Sequence, residues 1–222
     1  MTCSIPCGNP VSLNMKQTYL LFAILFLAAC SEEDLYGPWG LKNGQEVELL
    51  VSHRYGAIGN QLFLLPQNEA AEMSLYYFAG REPGYDYRVK ARMVVPEIPP
   101  QDGPSYHLEF IEVISKEKYK GNEAFEIALI QSHVPGGPTI HLGKKDGQYY
   151  FVPEKITLTY ANEEIQGQLE EIWQHNNELR ENWETDNVPP VIKWKSITAT
   201  VTHDPGNFGK SYLVSHIEFT DW

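Results

Sequence analysis

From Tyr85 to Val95 the side chains alternate with period two. Tyr85, Tyr87, Val89, Ala91 and Met93 share one face, and Asp86, Arg88, Lys90 and Arg92 share the other. This is the pattern of a half-buried β-strand. A strand with one apolar face needs a sheet around it and a second layer to cover it. Val47 to Ser52, Gln61 to Leu65 and Ser74 to Phe78 are short apolar or aromatic runs that supply neighbours. Glu82-Pro83-Gly84 and the stretch Pro96 to Pro104 read as turns. Beyond them Tyr106, Leu108, Phe110 and Glu112 alternate with His107, Glu109, Ile111 and Val113. The apolar face changes partway, which predicts a bulge or a strand buried on both sides.

The second half repeats this style. Strands are expected at Ala124 to Gln131, Thr139 to Leu142 and Gln148 to Val152, broken by Pro135-Gly136-Gly137-Pro138 and by a hairpin turn at Lys144-Lys145-Asp146-Gly147. One amphipathic helix is expected over 162–184. Asn162 is a good N-cap, Glu163 and Glu164 suit the positive end of the dipole, and Pro189-Pro190 stops the helix. Ile165, Leu169, Ile172, Trp173, Leu179 and Trp183 form its apolar stripe. Two long strands, Val191 to His203 and Ser211 to Phe219, finish the chain.

An internal echo links the halves. Arg88 to Met93 and Ser196 to Val201 share a pattern, and each leads through a Pro/Gly/Asp loop to a Ser-Tyr strand, Ser105-Tyr106 and Ser211-Tyr212. The order strand, strand, strand, helix, strand, strand is that of an OB-type barrel. The expected fold is therefore mainly β (α+β). It has two small OB-like barrels over 45–118 and 119–222, the second carrying the helix. The alternative is a single lipocalin-like barrel, since Gly37-Pro38-Trp39 resembles the Gly-x-Trp of lipocalins. Two long strands after the helix, where lipocalins have one, speak against it.

The front of the chain reads as an address. Lys16 precedes an apolar run from Tyr19 to Ala29, which is too short for a bilayer span of roughly 20 residues and suits a secretory signal peptide. Residues 1–14 fit no part of such a peptide, so Met15 is the better start. Leu27-Ala28-Ala29-Cys30 resembles the bacterial lipobox. That resemblance implies cleavage between Ala29 and Cys30, lipid on the Cys30 sulfur and anchoring in a membrane, with 30–44 as lipidated Cys and tether. Each buried methylene adds about 0.8 kcal/mol, so several acyl chains hold firmly where one does not. An ordinary signal peptide, with Cys30 as a bystander, is the alternative. Ser31-Glu32-Glu33-Asp34 resembles the acidic export signal of Bacteroidetes surface lipoproteins. Its other reading is a solvated tether. Localisation is then the outer membrane, with surface exposure as one reading and the periplasmic side as the alternative. Cys3 and Cys7 lie in the removed part, so the mature chain has no disulfide.

The formal net charge is −12, and the removed segment holds one charged residue, Lys16. Such a surface repels phosphate backbones, so nucleic acid is not an expected partner. The stretch from Glu46 to about Ser132 resembles a domain-of-unknown-function family of bacterial lipoproteins often found beside META domains. Glu82-Pro83-Gly84-Tyr85-Asp86-Tyr87 and Pro100-Gln101-Asp102-Gly103-Pro104-Ser105-Tyr106 carry the likeness. The family's Cys pair is missing at Ser52-His53-Arg54-Tyr55, and the resemblance implies no catalysis.

Signatures of chemistry are sparse. Gly206-Asn207-Phe208-Gly209-Lys210-Ser211 ends like a phosphate loop, but Asp204 stands where the first Gly is needed and a strand follows instead of a helix. His53, His107, His133, His141, His175, His203 and His216 show no metal-ligand spacing, and no Gly-x-Ser-x-Gly elbow occurs. Glu109, Glu112, Glu123 and Glu126 offer carboxylate pairs for a glycosidase, as any acidic chain would. Trp39, Trp173, Trp183, Trp194 and Trp222 offer sugar stacking or simple packing. The expectation is a non-catalytic envelope protein without cofactor or metal. Its role is binding or structural, with an envelope protein or a glycan as partner. A glycan- or apolar-ligand-binding barrel is the alternative, and a carbohydrate-active enzyme a more distant one.

Overall fold

The computed structural model describes residues 34–59, 62–101, 103–132, 137–151, 156–186 and 191–222. The expected signal peptide, the expected cut between Ala29 and Cys30, the expected lipidation at Cys30 and Ser31, Glu32 and Glu33 lie outside the described residues, as do Asp102, His133 and Pro189-Pro190. Asp34 opens the described chain and is exposed. Leu35–Trp222 is one compact unit. It is mainly β, with a sheet curled into a half-barrel and one helix among the described residues.

A small hairpin, β1 (Leu35–Tyr36) with β2 (Leu41–Lys42), precedes the first large sheet. That sheet is built from β3 (Glu46–Val51), β4 (Leu62–Leu65), β5 (Glu69–Ala71), β6 (Leu75–Tyr76), β7 (Tyr85–Val94) and β8 (His107–Lys118), in the order β5-β4-β3-β7-β8-β6. The alternation of β7 does what its period requires. Tyr87, Val89, Ala91 and Met93 are buried. Arg88, Lys90 and Arg92 reach the neighbouring β3, where Arg88 pairs with Glu48, and Lys90 and Arg92 with Glu46 at 2.5 and 2.9 Å. These cross-strand pairs are solvent-exposed, so they add little to stability. The face change foreseen in β8 is a double bulge. The register against β7 skips Ile114 and Ile111, which sit as extra residues on β8.

The second large sheet follows. Its strands are β9 (Phe125–Ala128), β12 (Leu142–Lys145), β13 (Gln148–Phe151), β14 (Ile156–Tyr160), β15 (Ser196–His203) and β16 (Ser211–Thr220). A side hairpin of β10 (Ile130–Ser132) and β11 (Pro138–Ile140) interrupts it. The order is β12-β13-β14-β16-β15-β9. Helix α1 (Glu163–Asp186) covers this sheet. The Asn162 side chain accepts the Ile165 amide at 3.0 Å, which is the N-cap bond. Ile165, Leu169 and Ile172 are buried, with Trp173 and Leu179 packed at the margin of the same core. Glu170 ties the helix to the sheet by accepting from Lys144 at 2.5 Å and from the Tyr149 hydroxyl.

The two sheets share a connectivity. In each, the first long strand pairs antiparallel with the penultimate one (β3 with β7, β9 with β15). The penultimate pairs with the last across a register shift. The last strand then runs parallel to the strand preceding that long hairpin (β8 with β6, β16 with β14). Two hydrophobic clusters result, one from Leu41 to Leu108 and one from Phe125 to Ile217. Neither sheet is closed by hydrogen bonds between its end strands among the described residues. This departs from the closed barrels expected. The stretch that would bridge the ends is interrupted, at Glu72–Ser74 between β5 and β6 and by the β10–β11 hairpin between β9 and β12. The lipocalin-like alternative fails for a different reason: the strands divide into two sheets with separate cores.

Candidate functional site

A cleft of about 570 Å³ opens on the first half, within the size range of ligand pockets. Three pieces of chain meet there. Ala57 and Gly59 come from the loop between β3 and β4. Glu72, Met73 and Ser74 form the break between β5 and β6, and Pro104, Ser105 and Tyr106 end the loop between β7 and β8. Local sequence explains two of these pieces. Pro104-Ser105 closes the turn-rich loop before β8 begins. Gly37, at φ +71°, lets the β1–β2 turn pass behind Tyr106, where a Cβ would sit 3.2 Å from the ring. Period-two alternation through Ala71, Glu72, Met73, Ser74 and Leu75 turns Glu72 and Ser74 outward.

Aromatic rings continue from the edge of this cleft. Tyr76 packs on His107 with ring centroids 4.5 Å apart, and Tyr77 stands next to it at 6.2 Å. Tyr77 is 76 % exposed, and its φ of 68° is a left-handed conformation that a bulky residue rarely adopts. Unusual backbone held at an exposed aromatic is a marker of a functional position.

The halves meet at a second cluster. His53 Nδ1 lies 2.9 Å from His203 Nε2. Tyr119 stacks on His53 at 3.5 Å and 9°, and Phe125 and Tyr212 surround His203. The Asp86 carboxylate accepts the His53 backbone amide at 2.8 Å, and the Tyr212 hydroxyl donates to the Tyr55 carbonyl at 2.7 Å. Burial pushes both histidines down to about 4, assisted at His53 by the charge of Arg54 and at His203 by His53 itself. Both rings are therefore neutral at pH 7, and the cluster is a packed seam. Phe208, from the loop between β15 and β16, seals it against Gly84 and Tyr85.

Other residues singled out in the sequence find plainer places. Trp194 is buried, Trp39 and Trp173 pack against the two cores, and Trp222 is exposed with its indole N–H on the Ile192 carbonyl. The Trp183 side chain lies outside the described residues. Glu109 and Glu112 lie on β8, Glu126 on β9 of the other sheet, and Glu123 in the linking stretch. The Gly206–Ser211 loop leads into β16, so it lacks the helix a phosphate cradle requires. Among the described residues no cluster of three metal-ligating side chains occurs, and no helix is long and apolar enough to cross a membrane.

No family model, no curated protein and no solved structure matches the chain.

Proposed function

We propose that the protein is an exported, lipid-anchored envelope protein whose first half binds a neutral glycan without transforming it. The cleft carries the reading. If β5 and β6 are two pieces of one interrupted strand, the first half has the strand order 1-2-3-5-4-1 of an OB-like barrel. Counting β9 and β12 as one interrupted strand gives the second half the same order. The cleft then lies between the loops joining strands 1 and 2 and strands 4 and 5, where OB folds take oligonucleotides and oligosaccharides. A net charge of −12, with Glu72 in the cleft wall, disfavours the oligonucleotide. Tyr106, Tyr76 and Tyr77 offer flat, partly polar faces of the kind that stack on sugar rings. In the second half the corresponding loop, between β15 and β16, is occupied. Phe208 inserts against the first half, which favours a single ligand site.

The experiment is a thermal-shift and titration series on Leu35–Trp222 with neutral and acidic oligosaccharides. Ligand that binds only the folded state raises Tm. A neutral glycan that raises Tm with wild type and loses its effect with Tyr106→Ala supports the reading. If no glycan acts on either, the protein-partner reading replaces it. Anchoring is tested separately: an alkynyl fatty acid fed to expressing cells labels the full chain, and Cys30→Ala removes the label. Persistence of the label in that variant rejects lipidation at Cys30.

A further inference from the structure

One wall of the cleft is held by the half to which it does not belong. Ala57 and Gly59 line the cleft from the loop between β3 and β4. The first half grips the start of that loop, where the Asp86 carboxylate accepts the His53 amide at 2.8 Å and the Gly84 amide donates to the His53 carbonyl at 3.0 Å. The second half takes over from there. His53 meets His203 at 2.9 Å, and the Tyr55 carbonyl accepts the Tyr212 hydroxyl at 2.7 Å. Ala57 forms an antiparallel bridge with Ile127 of β9, and the Ile58 amide donates to the Glu126 carbonyl at 2.8 Å. Tyr55 and Ala57 also pack against the second core.

A binding wall works only if the groups behind it fix its position to a fraction of an ångström. Here those groups lie on β9 and β16. We propose that the second half is the positioning element of the cleft: it holds the β3–β4 loop in place as a wall, with Tyr212 as a positioning residue. The ligand rests on the glycan reading above; the anchoring of the loop does not. Phe208 fills the second half's own loop, so its part in binding is this wall and not a second site.

Backbone amide exchange of Leu35–Trp222, followed by NMR, tests the anchoring without a ligand. Tyr212→Phe keeps the ring beside His203 and removes the hydroxyl that holds Tyr55. Asn162→Ala, at the cap of α1, is the matched control, because it lowers global stability from a different place. Ile58 is expected to exchange about threefold faster or more in Tyr212→Phe, and as in wild type in Asn162→Ala. A role confined to global stability would move Ile58 alike in both. Circular dichroism establishes that each variant is folded before it is measured. Unchanged exchange at Ile58 in Tyr212→Phe, or equal acceleration in both variants, overturns the proposal. Titration with cellohexaose, a neutral probe, adds the binding arm. If wild type binds it, Tyr212→Phe is expected to weaken it about threefold or more and Asn162→Ala to leave it unchanged. Equal binding by wild type and Tyr212→Phe overturns the proposal. If cellohexaose binds neither, the glycan reading loses support, and exchange at Ile58 still decides whether the second half holds the wall.

Discussion

His53 and His203 are separated by 150 residues of sequence, yet their ring nitrogens Nδ1 and Nε2 lie 2.9 Å apart at the junction of the two sheets. Among the described residues the Nδ1 of His203 is buried without a partner. An unpaired acceptor costs less than an unpaired N–H, so His203 Nε2–H is the donor and His53 Nδ1 the acceptor.

Stability should fall with acid because of this pair. Each folded-state value, about 4, lies below the ordinary 6.5, so the unfolded chain takes up protons first. The contribution is complete above pH 6.5, declines below it and is lost by about pH 4. A shift of this size corresponds to on the order of 3 kcal/mol, and the two rings do not add in full because part of the His203 shift is repulsion from His53. Urea midpoints measured from pH 7 to pH 4 should drop, and His203→Phe should flatten the profile. A wild-type profile that is flat over this range would refute the neutral buried pair. Asp86 and Glu123, near the two rings, oppose the effect in part.

Gly84 should tolerate no side chain. Its φ is +80°, and a Cβ would come within 2.6 Å of Phe208 Cζ. Backbone strain and overpacking add, so Gly84→Ala should cost about 2–4 kcal/mol. Chemical denaturation measures it. A loss under 0.5 kcal/mol would mean the Phe208 contact does not hold the halves together.

The helix contributes through its cap and its buried stripe. Asn162→Ala removes the bond to the Ile165 amide and should cost about 1 kcal/mol. Leu169→Ala leaves a hole at a fully buried position and should cost about 2–5 kcal/mol. If equilibrium unfolding ranks them the other way, α1 is not seated on the sheet as described.

Tyr77 should trade stability for binding. Replacing it by Gly at φ 68° relieves a left-handed strain worth roughly 1–2 kcal/mol, less the entropy cost of glycine. Tyr77→Gly should melt slightly higher than wild type and bind glycan more weakly. A variant that is more stable and binds as before would remove Tyr77 from the site.

Periodicity was legible from the start. The alternation of β7, the bulged face of β8 and the capped helix all follow from local side-chain spacing, and spacing is a property of the chain alone. The echoed Ser-Tyr pairs fall in different places: Ser211-Tyr212 opens β16, whereas Ser105-Tyr106 lies in the loop before β8. Lengths were less legible. The run expected from Ser74 to Phe78 forms only a two-residue strand, and β5 was not expected at all, because hydrogen-bonding neighbours decide where a strand ends. The fate of the tryptophans was equally hidden, since an aromatic reads alike whether it packs or binds.

By itself, the sequence determined which faces are apolar, where the chain turns and how acidic the surface is, since these depend on neighbours a few residues apart. Only the tertiary structure decided that Ala57, Ser74 and Tyr106 meet around one cleft, that the Tyr212 hydroxyl reaches the Tyr55 carbonyl, and that two distant histidines share a hydrogen bond. Such contacts arise when whole sheets curl and dock, and no local spacing encodes the distance between residues that lie far apart in the chain.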